Sequence, residues 1–268
     1  MRKALRTLLR AVMAAMLLVA VVDSQSKAAP LSELIDDGWH SWRVEDIESD
    51  SVRCCVTWSQ GKTIARGCDL DTGRMSFIGS NSPVQATDEL QIYAYTEAGS
   101  VEKIRALSPQ CPVETRTEIQ DLGMIENADS VSWLSAYVTP HSKLSEDAIA
   151  AIAGHAGKES FAVLRDTGRS DRNAENRKQA IFWMAETGRH QTEAEIERAI
   201  ANDRNSDVRE HAVFALSLLP DERGVDGLIA VLENRRHKMN VREQALFWLA
   251  QSGSDEAFDY ITALLASK

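Results

Sequence analysis

The chain has 268 residues, with 30 basic and 40 acidic side chains and a formal net charge of −10 at neutral pH. Its first 28 residues carry five of the basic charges and one of the acidic charges, so the remainder has a net charge of −14. Such an acidic chain is a poor match for nucleic acid or for an anionic membrane surface, because binding to both depends on clustered Lys and Arg.

Residues 1–28 are typical of a secretory signal peptide. Four of the first ten residues are basic, and an apolar run at residues 11–22 precedes a small and polar stretch. The apolar run is shorter than the roughly 20 residues that a membrane-spanning helix needs. We expect cleavage after Ala28, with Ser24 and Ser26 as alternatives, and a periplasmic or secreted protein without membrane attachment. A retained membrane anchor is the competing interpretation.

Four cysteines, Cys54, Cys55, Cys68 and Cys111, lie in the first half of the chain. In an oxidising compartment an even number of cysteines in one region predicts disulfides. A bond between the adjacent Cys54 and Cys55 would close a strained small ring, so we expect one of them to reach Cys68 and the other Cys111. A zinc site is the alternative, but its usual ligand spacing is missing from this chain.

Residues 29–128 are predicted to form a small β-rich domain. Short runs rich in β-branched and aromatic residues alternate there with turn-forming Gly, Ser, Asn and Asp. The predicted strands lie at residues 52–58, 74–79, 90–97 and 101–107. A domain of roughly 100 residues has a modest core, so two cross-links would stabilise it.

A linking helix is predicted within residues 129–142, with Asp129 as its N-cap and its end at Thr139-Pro140. From residue 143 to residue 268 the chain aligns with itself at offsets of 32, 32 and 33 residues. The four aligned segments begin at Ser145, Arg177, Arg209 and Arg242.

Each aligned segment predicts an amphipathic helix with the same apolar positions. The fourth position is always Ala, the fifth and eighth are large and apolar, and the ninth is Ala or Ser. A second helix follows in each unit, with apolar anchors at Leu164, Ile196, Leu228 and Ile261. Self-similarity near 32 residues with two helices per unit indicates an α-helical solenoid, in which each helix pair buries its apolar face against its neighbours.

The run S-D-V-R-E-H-A-V-F-A-L at residues 206–216, with P-D-E-R-G-V-D-G-L-I-A-V-L at 220–232, resembles a HEAT repeat of the type also called PBS-lyase HEAT-like. The resemblance covers residues 143–268. It implies a mainly α fold, in which a solenoid of about four HEAT-like repeats follows the β-rich, disulfide-linked domain. Ser145 stands where the other units have Arg, which suits an N-terminal capping repeat. The whole arrangement resembles exported bacterial HEAT-repeat proteins, and such repeats serve binding, scaffolding and a few enzymes.

Motifs for catalysis, cofactors and metals are missing from the sequence. Residues 154–160 contain a Gly-Lys pair without the earlier glycine of a phosphate-binding loop. Residues 69–73 resemble part of a calcium loop, but apolar residues follow where further oxygen ligands are needed. The HEAT-repeat hydroxylases that modify a lysine derivative bind iron through His-Glu dipeptides, whereas no His here is followed by Glu. We predict no catalytic residue, no cofactor and no metal site.

An aromatic stripe is the candidate partner-binding site. The sixth position of the first helix is Phe182, Phe214 and Phe247 in three consecutive repeats, with Trp183 and Trp248 one residue further on. A step of about 100° per residue places the sixth position opposite the core positions. The stripe is either covered as packed core or free to bind a partner.

The repeated Arg177, Arg209 and Arg242 are predicted to form a structural ladder, each reaching a helix-start acid such as Glu175 or Asp207.

The patterns predict a non-catalytic periplasmic or secreted protein that binds or scaffolds a protein partner through its repeat surface. The alternative is an enzyme or redox protein whose site lies in the N-terminal domain, around Cys54, Cys55, Asp69 and Asp71.

Overall fold

The computed structural model describes residues 30–47, 53–59, 62–76, 87–188, 191–220 and 222–266. The predicted signal peptide lies outside these residues, as do the first residue of the predicted strand 52–58 and the last three of the strand 74–79. From Leu31 onward the chain forms one compact unit. None of the helices in the described residues has the length and apolar character needed to span a bilayer.

The N-terminal part is built from two sheets. The described strands are β1 (Gly38–Glu45), β2 (Cys55–Ser59), β3 (Lys62–Asp69), β4 (Arg74–Ser76), β5 (Glu89–Glu97), β6 (Ser100–Leu107), β7 (Val113–Glu114) and β8 (Ile119–Met124). The main sheet has the order β6-β5-β1-β8, with β1 antiparallel to β5 and parallel to β8. In the smaller sheet β3 pairs with β2, β4 and β7. The prediction of a β-rich, disulfide-linked N-terminal part is confirmed.

Two disulfides hold the smaller sheet and its connections. Cys54 is bonded to Cys111 across a separation of 57 residues, and Cys55 is bonded to Cys68 across 13 residues. This is one of the two pairings that the sequence left open. Cys55 begins β2 and Cys68 lies in β3, so the second bond joins neighbouring strands, while the first joins the start of the β2–β3 hairpin to the segment before β7.

The helices follow the strands in the chain, apart from a short first helix. They are α1 (Leu31–Leu34), α2 (Asn127–Ser135), α3 (Ser145–Gly154), α4 (Lys158–Ser170), α5 (Ala174–Glu186), α6 (Thr192–Asn202), α7 (Ser206–Ser217), α8 (Glu222–Glu233), α9 (Met239–Gln251) and α10 (Asp255–Ala266). Helices α3 to α10 form four consecutive pairs, so the predicted four-repeat solenoid is confirmed. The first helices of neighbouring repeats pack side by side, α3 on α5, α5 on α7 and α7 on α9.

Some helix ends differ from the prediction. Helix α2 begins at Asn127, with Glu126 at the N-cap position, so Asp129 lies inside its first turn and is not the cap. Helices α5 and α7 begin three residues before the repeated Arg, because Asn173 and Asn205 cap them. Their side chains accept hydrogen bonds from the backbone N–H groups of Glu175 and Asp207 at 2.9 and 2.7 Å.

The main sheet packs directly on the first repeat. Trp42 and Ile92, on one face of this sheet, belong to the same continuous core as Ile149 of α3 and the buried residues of the later helices. The opposite face carries Trp39 and Tyr93, which form a second, small core with Leu70. The sheet therefore has helices on one face and the smaller sheet on the other.

Gly154, at the end of α3, marks the closest approach between sheet and solenoid. A Cβ atom at this position would lie 2.6 Å from Cδ2 of Leu90 in β5, so only glycine fits. Backbone hydrogen bonds complete the contact. The N–H of Ile47 donates to the carbonyl of Gly154 at 2.8 Å, and the N–H of Ala156 donates to the carbonyl of Glu45 at 3.0 Å.

A buried polar network joins the sheet, α2 and α3. The indole Nε1 of Trp42 donates to the hydroxyl of Ser130 at 2.8 Å. That hydroxyl lies 2.8 Å from Nε2 of His155, and Nδ1 of His155 lies 2.8 Å from the carbonyl of Ala151. Trp42, Ser130 and His155 are all fully buried. The hydroxyl can donate to Nε2 while Nδ1 donates to the carbonyl, so a neutral His155 satisfies every one of these groups.

The change Ser130→Ala tests this network. It leaves the buried Trp42 Nε1 and His155 Nε2 without their partner, and each unsatisfied group costs about 1–3 kcal/mol, so we expect a loss of about 3 kcal/mol in the free energy of unfolding. Ser135→Ala on the same helix is the matched control. Its hydroxyl bonds only to the Val131 carbonyl one turn back, so its loss should be about 1 kcal/mol or less. Urea unfolding measures both, and equal losses would contradict the role of Ser130.

Candidate functional site

The predicted aromatic stripe is a continuous row of ring contacts across three repeats. Phe182 contacts Trp183 on its own helix at a centroid distance of 5.2 Å and stacks on Phe214 of the next repeat at 6.3 Å. Phe214 contacts Trp248 of the last repeat at 4.8 Å, and Trp248 contacts Phe247 at 5.0 Å. The five rings therefore run without a break along helices α5, α7 and α9.

The stripe is neither packed core nor fully exposed. Phe182, Trp183, Phe214 and Trp248 are half-buried, and Phe247 is 52% exposed. Their neighbours on the helices, such as Ile181 and Val213, are completely buried, so the two sides of each helix differ sharply. The rings cover one another along the row, while one edge of the row remains open to solvent.

A groove of about 430 Å³ lies beside the stripe where α5, α7 and α9 meet. Its lining residues are Lys178, Asp207, Glu210, His211, Phe214, Gln244 and Trp248. The sequence analysis noted Ala215 as a gap between Trp183 and Trp248, but Ala215 is completely buried and the groove lies beside Phe214.

Acidic side chains dominate the charge of this groove. Lys178 forms an ion pair with Glu175 at 2.6 Å, which offsets its positive charge. Asp207 and Glu210 have no basic partner among the described residues, although Glu210 accepts a hydrogen bond from the side chain of Asn240. The groove therefore combines aromatic faces with two uncompensated carboxylates.

His211 is the residue of this groove that sequence analysis missed. Its ring lies 5.6 Å from that of Phe214, three residues further along α7. Burial lowers the pKa of His211, and the charge of Lys178 lowers it further, so the imidazole is neutral at pH 7. The only available signal was this spacing of three residues, which places His211 and Phe214 on one helix face.

Two buried polar atoms in the groove have no hydrogen-bond partner among the described residues. They are Nε2 of His211 and Nε1 of Trp248. A buried group in this state normally costs stability, so its presence in a groove is an observation that a structural role does not explain.

The repeated arginines bind helix ends, and the predicted partners Glu175 and Asp207 are wrong. Arg177 donates to the carbonyl of Asp171, Arg209 to the carbonyl of Asp203 at the equivalent point of the next repeat, and Arg242 to the carbonyl of Leu232. In each case the acceptor lies at the end of the preceding second helix. The last carbonyls of a helix lack partners within it, so these bonds tie successive repeats together.

Arg177 differs from the other two because it is completely buried. Its Nε and Nη2 atoms also bind both carboxylate oxygens of Asp203, at 2.8 and 2.9 Å. Burial alone would raise the pKa of Asp203, but the hydrogen bonds from Arg177 and Asn205 outweigh it and hold this pKa below its ordinary value. The ion pair is therefore charged at neutral pH and joins the second repeat to the turn before the third.

The cysteines and aspartates that the alternative function required have structural contacts. All four cysteines form disulfides. The carboxylate of Asp69 accepts from the backbone N–H groups of Asp71 and Thr72, as a turn requires. Asp71 accepts from Nε1 of Trp39 at 3.0 Å and from the N–H of Arg116 at 2.8 Å. Within the described part of the chain, no three His, Cys, Asp or Glu side chains are close enough together to hold a metal ion.

Comparisons with known proteins agree with this architecture. A family model described as HEAT repeats matches residues 162–239, and a second one, described as PBS lyase HEAT-like repeat, matches residues 241–267. Among solved structures, human deoxyhypusine hydroxylase in complex with glycerol is 18% identical to the chain, with a TM-score of 0.37. That alignment covers 46% of this chain and 43% of the hydroxylase chain. A search of curated proteins finds no match.

The change Arg177→Met tests the buried ion pair. It leaves the Asp203 carboxylate buried without its partner, so we expect a loss of about 3–5 kcal/mol in the free energy of unfolding. Arg209→Met is the control in the next repeat. Arg209 is half-buried and loses one bond to a carbonyl, so its cost should be about 1 kcal/mol. Similar losses in the two variants, measured by urea unfolding, would show that the ion pair adds nothing to the helix-end bond.

Proposed function

Because the C-terminal half of the chain is a HEAT-repeat solenoid, we propose that this protein is a non-catalytic scaffold that binds a protein partner through the aromatic stripe. The observation that carries the proposal is the unbroken row of five partly exposed rings across three repeats. Aromatic side chains with large contact areas supply most of the binding energy at many protein interfaces.

The chemistry of the groove favours a partner segment that carries both apolar and basic side chains. An arginine or lysine of the partner could lie over the faces of Phe214 and Trp248, where the attraction between a cation and an aromatic ring contributes about 0.5–2 kcal/mol. Asp207 and Glu210 line the same groove and would attract the same cation. The net charge of the whole chain has the same sign, so it would steer a basic partner towards this surface.

We place this binding outside the cytoplasm. The features of residues 1–28 are those of a signal peptide, and two disulfides are expected in a periplasmic or secreted protein but are uncommon in cytosolic ones. In this proposal the disulfides stabilise the sheet that supports the first repeat, and the repeat surface binds the partner.

The change Phe247→Ala tests the role of the stripe. Phe247 is 52% exposed, so its removal should change the free energy of unfolding by about 1 kcal/mol at most. Met124→Ala is a matched control, since Met124 is 51% exposed but lies on β8. We expect capture of partners from the native cell envelope, quantified by mass spectrometry, to fall for Phe247→Ala and to stay at the wild-type level for Met124→Ala.

A partner that binds Phe247→Ala and wild type equally well would remove the stripe as its binding site. A loss of stability of about 3–5 kcal/mol in Phe247→Ala, which is the cost of deleting a packed phenylalanine, would instead assign the ring to the core.

A further inference from the structure

The last repeat exposes apolar side chains at positions that are buried in earlier repeats. At the fifth position of the first helix, Ile181 and Val213 are completely buried, whereas the equivalent Leu246 is 37% exposed. In the second helix, Val225 is 7% exposed, whereas the equivalent Phe258 is 70% exposed. In earlier repeats these positions pack against neighbouring elements, so the surface is built for packing.

A third position on α10 shows the same change. Leu232 is 8% exposed in the third repeat, and the equivalent Leu265 is 66% exposed in the fourth. We call the surface formed by Leu246, Phe258 and Leu265 the end face. Nothing in the described residues, which reach Ala266, covers it. The opposite end of the solenoid differs, because the main sheet packs on α3 there.

The exposed side of α10 suits close contact with another helix. Phe258, Thr262 and Leu265 lie four and three residues apart, so they form one stripe along the helix. Thr262 and the small Ala263 and Ala266 are exposed on the same side. Small side chains next to two large apolar ones allow a partner helix to approach closely and bury the large ones.

Opposite charges flank the two ends of this stripe. The acidic residues at the start of α10 are Asp255, Glu256 and Asp259, and the basic residues of the loop before α9 are Arg235, Arg236 and Lys238. All six side chains are exposed, and none forms an ion pair within the described part of the chain.

The basic loop lies away from the acidic start of α10. Helices α9 and α10 are joined by residues 252–254 and form a hairpin, so the residues before α9 lie towards the end of α10. The hydroxyl of Tyr260 donates to the carboxylate of Glu233 at 3.2 Å, which places the end of α8, directly before the loop, beside the middle of α10.

We propose that two copies of this chain dimerise through their end faces, with α10 of one copy antiparallel to α10 of the other. A two-fold axis makes each copy present the same surface to its partner, so an exposed apolar stripe is buried by its own equivalent. Antiparallel packing brings Phe258 of each copy next to Leu265 of the other. It also brings the acidic start of each α10 towards the basic loop of the other copy, so the charges that are unpaired in one chain are complementary between two. This inference does not depend on the proposed partner of the aromatic stripe.

Sedimentation velocity of the purified protein over a range of concentrations tests the dimer. We expect wild type to sediment as a dimer and Leu265→Asp to raise the dissociation constant by roughly a hundredfold or more, because a charge replaces a central apolar contact. Met124→Asp is the control, since it places the same charge at a similarly exposed apolar residue on β8, and it should remain a dimer.

Charge reversal separates dimer contacts from damage to the fold. Arg235→Glu with Arg236→Glu should weaken the dimer by roughly tenfold, and adding Asp255→Lys with Glu256→Lys should restore it, because the ion pairs re-form with reversed sign. A wild-type protein that is monomeric at every concentration overturns the proposal. So does a dimer that resists Leu265→Asp, or one that Met124→Asp dissociates equally well, or a charge reversal that the second pair of changes fails to rescue.

Discussion

The contact between the main sheet and the first repeat is the constraint on which the rest of the structure depends. A solenoid repeat cannot bury its apolar face alone, so each end of the stack must be covered or tolerate exposure. Here the sheet covers the first end, and Gly154 permits an approach that any side chain would block. The Trp42–Ser130–His155 network places three hydrogen-bonding side chains inside that contact, where only one arrangement satisfies them all.

This constraint gives the solenoid a direction. Successive repeats are joined by apolar packing and by arginines that bind the ends of the preceding helices, and the strongest such joint is the buried pair of Arg177 and Asp203. The last repeat repeats the apolar pattern of the others without a cover among the described residues. The aromatic stripe runs along the side of this stack, so a partner on the stripe and a second copy on the end face could bind together.

The repeats could be predicted from the sequence because each one makes the same contacts, so the same residue types recur at a fixed period. Strand β1 could not, because Trp39 and Trp42 are buried on opposite faces of the sheet and the strand lacks the usual alternation of polar and apolar residues. The aromatic stripe followed from the period, but its partial exposure depends on how neighbouring repeats lie. The partner of Arg177 was missed because Asp203 is 26 residues away and no local pattern connects them.

Helix unfolding followed by circular dichroism, with the disulfides intact and then reduced, tests the central claim that the sheet stabilises the solenoid. The four cysteines all lie in the sheet region, and the repeats contain none. We predict that reduction lowers the urea midpoint of helix unfolding, because a loosened sheet no longer covers α3. An unchanged midpoint for the helices, with loss of the sheet alone, would show that the solenoid is stable without its cover and would contradict the account.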